Sequence, residues 1–163
     1  MRVLLLLLSL SVLACGCGSG ERVVSANGAR VRVPGGWERI RPAPGPVDDP
    51  RTLLAVGTRA VRAKPSPCTQ AAYRIPEADA VVVVISWSSA AAAGGAPPPG
   101  REPLQRLTAV RRPSFECFNG RGAAADLLLA GRRYQVGVLV GDRASAERVR
   151  QALAVARSFE PAG

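Results

Sequence analysis

The sequence predicts an α+β domain: an antiparallel-dominated sheet with flanking helices, one of them a clear C-terminal amphipathic helix. Three observations carry this. Two apolar segments, near residues 23–33 and 123–140, are each interrupted by a glycine-containing turn signal. Val81 to Ile85 is an unbroken β-branched run, which reads as a strand buried on both faces. Residues 144–156 place Ala146, Val149, Ala152, Leu153 and Ala156 on one stripe at helical spacing. Strands grouped ahead of a late helix favour an α+β layer over alternating β–α units.

The chain opens on a short apolar leader. Arg2 supplies a positive charge, and from Val3 to Ala14 only Ser9 and Ser11 are polar. A bilayer-spanning helix needs about 20 apolar residues, so this length suits the core of a secretory signal instead. Val12-Leu13-Ala14-Cys15 resembles a bacterial lipobox: an aliphatic residue, a variable one, a small one, then cysteine. The resemblance implies cleavage before Cys15, a diacylglycerol on its thiol, and residence on the extracytoplasmic face of the cell membrane. Two acyl chains hold a protein stably on a bilayer, whereas one is marginal. Residues 1–14 are therefore expected to be the signal peptide, 15–22 the lipidated cysteine with a small, polar tether, and 23–163 a single globular domain.

The elements follow in order. Val23–Ser25 and Ala29–Val33 flank Asn27-Gly28, a dipeptide that tolerates positive φ and so predicts a hairpin. Val31 and Val33 alternate with Arg30 and Arg32, giving one buried and one wet face. Pro34-Gly35-Gly36 ends that arm, and Trp37 and Ile40 are expected to pack under the sheet. Four prolines between Arg41 and Pro50 predict a surface loop, in which Asp48 and Asp49 would make local turn hydrogen bonds. Thr52–Thr58 predicts a strand, Cys68–Tyr73 a short helix bounded by Pro76, and Ala80–Trp87 the buried strand. The Ala-, Gly- and Pro-rich stretch near residues 90–101 predicts a long loop. Ser114–Phe118 alternates over a short span. Ala123–Ala130 and Arg133–Val140 predict the second hairpin, turning at Gly131-Arg132. Asp142 is expected to cap the helix that starts at Ala144, and Phe159 to close the domain from a terminal strand.

Composition narrows the chemistry. The chain has no histidine. Ser-His-Asp and Cys-His catalysis need an imidazole, as do the common catalytic zinc sites. The net charge is +10; loss of Arg2 with the leader leaves 21 basic against 12 acidic side chains, or +9. Such a charge attracts polyanions, yet the arginines are scattered and form no block of five or six. Nucleic-acid binding would need basic residues interleaved with stacking aromatics or a recognition helix; Arg111-Arg112 and Arg132-Arg133 are pairs only.

Four cysteines are present. With Cys15 acylated and Cys17 in the tether, Cys68 and Cys117 are expected to form a disulfide, since export places them in an oxidising compartment. The bridge would enclose about 50 residues and constrain the unfolded chain by roughly 4 kcal/mol at most. A redox pair would want Cys-x-x-Cys spacing, and Cys15-Gly16-Cys17 is one residue short of it.

Two further patterns could carry chemistry. Gly120-Arg121-Gly122-Ala123-Ala124-Ala125 has the Gly-x-Gly-x-x-Ala form of a dinucleotide site, but that motif requires a helix after it, and a strand is predicted here. Glu77, Asp79, Glu116 and Asp126 could pair as acid and base in a carboxylate-dependent hydrolase, although nothing in their spacing brings them together. No cofactor or metal is expected.

From Val33-Pro34-Gly35-Gly36-Trp37, the buried strand, the 134–141 segment Tyr-Gln-Val-Gly-Val-Leu-Val-Gly and Ser158-Phe159, the chain after Cys15 resembles the small actinobacterial-type secreted lipoproteins. Their function is uncharacterised, and several are similar to the Mog1/PsbP-like fold. The resemblance implies an antiparallel sheet flanked by helices and carries over no functional residue. The functional expectation is a membrane-tethered, non-catalytic binding or envelope-assembly domain. Its partner would be an envelope protein or an anionic polymer, not nucleic acid, and an envelope hydrolase is the alternative.

Overall fold

The computed structural model describes residues 20–43, 47, 49–68, 71–88, 96–111, 118 and 120–162. In chain order its elements are β1 (Arg22–Ala26), β2 (Ala29–Val33), β3 (Trp37–Ile40), β4 (Arg51–Thr58), β5 (Arg62–Lys64), β6 (Ala72–Arg74), β7 (Ala80–Ser86), α1 (Glu102–Gln105), β8 (Arg121–Leu129), β9 (Arg132–Val140), α2 (Ala146–Arg157) and β10 (Glu160–Pro161). A five-stranded sheet in the order β3-β4-β7-β9-β8 forms the centre. Every pairing among these named strands is antiparallel, as the fold class requires.

The central strand organises two cores. β7 is buried along its whole length, and its side chains alternate between faces as strand geometry dictates. Ala80, Val82 and Val84 join the larger core, with Val136, Val138 and Val140 of β9 and Ala152, Leu153, Val155 and Ala156 of α2. The β1–β2 hairpin adds Val24, Val31 and Val33 to that side. Val81, Val83, Ile85 and Trp87 face the other way and pack with Tyr73, Val61 and Ala63 from the β5–β6 region. A β-bulge between Thr52 and Leu54 lets Leu53 and Leu54 both enter the larger core.

The first hairpin forms as its sequence predicts. Asn27 (φ 48°) and Gly28 (φ 80°) both take positive φ, the requirement of a tight hairpin turn. The Asn27 side chain also donates to the Leu53 carbonyl at 2.9 Å, fastening the hairpin tip to β4. β10 adds to the free side of β2. Phe159, just before it, is fully buried, with its ring 5.2 Å from that of Tyr134.

Several expectations are corrected. The second hairpin turns at Ala130 (φ 48°) and Gly131 (φ 73°), one residue earlier than Gly131-Arg132, because Leu129 pairs with Arg132 and leaves Ala130 in the turn. Of the Cys68–Tyr73 segment predicted as a helix, Ala72 and Tyr73 lie in β6 and pair with β5; residues 69 and 70 lie outside the described residues. Burial of Tyr73 against β7 outweighs the helix preference of its alanines. Helix α2 begins at Ala146 with Ser145 as its N-cap, whose side chain accepts from the Arg148 N–H at 3.1 Å. Asp142 does not cap it, since the Ala144 and Arg143 amides are spent on Gly141 and Glu77 carbonyls in a preceding turn. Ala146 is exposed rather than part of the buried stripe, and Val155 takes a core place instead. Trp37 and Ile40 do pack into the two cores, but from β3, an edge strand of the sheet itself. Asp49 makes no local turn bond: its carboxylate accepts from the Ser88 N–H at 2.9 Å and hydroxyl at 2.7 Å, tying the start of β4 to the end of β7. Most of the 114–118 alternation and much of the 90–101 loop lie outside the described residues. The short helix α1, which buries Leu104, follows that loop and carried no signal of its own.

Candidate functional site

One corner of the structure is lined by four arginines. β3 pairs with β4 so that Trp37 faces Thr58 and Ile40 faces Ala55. The chain then turns at residues 59–61, closed by the Val61 N–H donating to the Thr58 carbonyl at 3.0 Å, and enters β5. This path wraps an open cleft of about 230 Å³. Arg39, Arg41, Arg59 and Arg62 line it, and Glu38 is the one acidic residue among its described lining. Ile40, Val61 and Ala63 make its apolar floor and pack into the second core, so the charged groups stand on a fixed base.

The four arginines differ in how they are held. Arg59 Nε lies 3.1 Å from Glu38 Oε1. Arg62 turns its guanidinium back onto the Arg59 and Val61 carbonyls. Arg39 and Arg41 are exposed, and among the described residues no hydrogen bond or ion pair engages their guanidinium groups. Arg74 of β6 stands directly across from Arg62, a like-charge pair that opposes hairpin formation. Glu38 pairs with Arg59 and Asp79 accepts from the Thr58 hydroxyl beside the cleft, so the arginines outnumber the acids at this corner. A guanidinium offers several donors in a planar fork suited to phosphate or carboxylate oxygens, and the cleft is too shallow to enclose a small molecule.

The first described strand starts next to this corner. Arg22, the first residue of β1, donates from Nη2 to the Trp37 carbonyl at 2.6 Å, on the edge strand that lines the cleft.

Of the carboxylates named from sequence, Asp79 and Asp126 are not brought together. Glu77 pairs with Arg143. Asp79 accepts from the Thr58 hydroxyl at 2.5 Å. Asp126 accepts from Gln135 at 3.3 Å and pairs with Arg133 at 3.4 Å, and that guanidinium also stacks 4.7 Å over the Trp87 ring. Asp126 faces Gln135, whereas Ala80, next to Asp79, faces Val140. Five residues along one strand separate them by about 17 Å, beyond the roughly 5–10 Å of a glycosidase pair. Glu116 lies outside the described residues. The Gly120–Ala125 segment runs into strand β8, so no helix N-terminus stands behind it to receive a pyrophosphate.

Cys68 is disulfide-bonded. Cys15, Cys17 and Cys117 lie outside the described residues. Among the described residues no helix is long and apolar enough to cross a membrane, and no group of three potential metal ligands occurs.

Arg39, Arg41, Arg59 and Arg62 were not singled out from sequence. The available signal was Arg39 and Arg41 flanking Ile40 after Trp37, a short alternation that turns the half-buried Ile40 into the second core and both cations to the other face of the edge strand. No protein-family model, curated protein or solved structure matches the chain.

Proposed function

We propose that this chain is an extracytoplasmic lipoprotein, anchored to the cell membrane through acylated Cys15, whose domain binds an anionic partner at the arginine corner without catalysing a reaction. The observation that carries the reading is that Arg39, Arg41, Arg59 and Arg62 line one open cleft, with Glu38 the only acid among its described lining residues. The lipobox-like Val12-Leu13-Ala14-Cys15 supplies the anchor. Commitment of Glu77, Asp79 and Asp126 to separate partners supports binding over carboxylate catalysis. An oxidising location also fits the bonded state of Cys68, for which Cys117 is the proposed partner within the domain.

Cell fractionation tests the anchor. The wild-type chain should stay with membranes through a high-salt wash and leave them only in detergent. A mature, soluble wild-type chain in the cytosolic fraction overturns the proposal.

A further inference from the structure

The corner and the tether root share one edge of the molecule, and that juxtaposition names a partner. We infer that the arginine corner docks onto the anionic headgroups of the same bilayer that holds Cys15. The inference rests on the lipid-anchored reading above and deepens it. From Cys15 to Arg22 the tether spans at most about 25 Å when fully extended, so the root of the domain stays close to the headgroup layer. Arg22 is hydrogen-bonded to the Trp37 carbonyl, and the next residues of that strand carry Glu38, Arg39 and, just beyond it, Arg41. A surface potential decays within a Debye length of about 8 Å at physiological salt, so cations gain from it only when held against the surface. A tether rooted beside the cationic corner keeps it within about three Debye lengths of the surface and so makes its encounter with the headgroups frequent, where the same charges on the far side of the domain would be held farther out. Arg39 and Arg41 are exposed at the edge strand of the sheet, where a plane of phosphates can reach them. Arg39 and Arg41, which no described side chain engages, are free to contact them.

The test uses the mature chain from residue 15 with Cys15→Ser, which cannot be acylated, its folding checked by thermal unfolding. Cosedimentation is measured with vesicles of equimolar phosphatidylglycerol and phosphatidylcholine, and with phosphatidylcholine alone. Binding to the mixed vesicles only, lost at high salt, is expected. Arg39→Gln with Arg41→Gln should weaken it about 25-fold, near fivefold for each charge removed at an anionic surface. Arg111→Gln with Arg132→Gln removes equal charge around the opposite edge strand, β8, and should weaken it only a few-fold. Equal loss in both double variants would mean that net charge alone drives adsorption, and would overturn the inference. So would equal binding to both vesicle types or to neither. Soluble polyphosphate that binds the corner and displaces the chain from mixed vesicles at equal phosphate concentration would reassign the surface to an anionic polymer. Because this chain carries no lipid, these outcomes report on the corner alone, while fractionation of the wild type reports on the anchor.

Discussion

At the scale of single residues, two positions carry costs that substitution should remove. Ala130 sits at φ 48° in the β8–β9 turn, where a Cβ costs roughly 1–2 kcal/mol. Ala130→Gly should raise stability by about 0.5–1 kcal/mol after the greater unfolded-state entropy of glycine is subtracted, readable as an increase in the urea midpoint. The same residue explains a misplaced turn. Alanine is no turn former, so the glycine after it drew the expected turn one position too far. Tyr73 is buried beside β7, and among the described residues its hydroxyl has no hydrogen-bond partner. Burial pushes the phenol far above its ordinary pKa, so it stays neutral. Tyr73→Phe deletes an unsatisfied polar atom and keeps the ring; the chain should gain up to about 1 kcal/mol in thermal or urea unfolding. A loss of stability would contradict this reading of the hydroxyl.

At the scale of elements, what was legible depended on whether local signals and tertiary packing agreed. Asn27-Gly28 and Val81 to Ile85 announced their structures because turn chemistry and burial point the same way. The β6 strand did not: three residues, two of them Ala72 and Tyr73, become a strand only because β5 lies alongside. The N-cap of α2 was read three residues early because Asp142 and Ser145 are both good N-caps, and the choice is made by contacts with the 76–79 turn. Gly141 is the hinge of that arrangement. Its amide donates to the Asp79 carbonyl at 2.9 Å, and a Cβ built there would stand 2.2 Å from the Pro76 carbonyl oxygen. Backbone must therefore move to admit any side chain. Gly141→Ala should cost several kcal/mol, within the range of severe overpacking, and should accelerate amide exchange in the first turn of α2. An unaltered urea midpoint would contradict this close approach.

At the scale of the whole molecule, charge shapes both stability and function. Glu147 and Glu160 are held below the ordinary carboxylate range by hydrogen bonds from Arg150 and Arg30, and Asp49 by the hydroxyl and amide of Ser88. A depressed carboxyl binds fewer protons in the folded than in the unfolded chain, so its contribution is complete above about pH 4.5 and is lost as pH falls through the folded value. Protonation also adds to the net charge of +10, and self-repulsion acts in the same direction. The melting temperature should hold from pH 7 to about 5 and then fall steadily toward pH 3; a melting temperature that stayed level down to pH 3 would refute this linkage. The fold class was legible because hydrophobic periodicity is local. The arginine corner was not, because positions 39, 41, 59 and 62 become neighbours only through the β3–β4 pairing and the turn that follows. In sequence they look like dispersed surface charge.

Mass spectrometry of the N-terminal peptide from the membrane-extracted protein bears most directly on the account. It should begin at Cys15 and carry the added mass of a diacylglycerol. A peptide that begins at Met1, or one that starts at Cys15 with an unmodified thiol, would contradict the anchoring on which the corner's orientation depends.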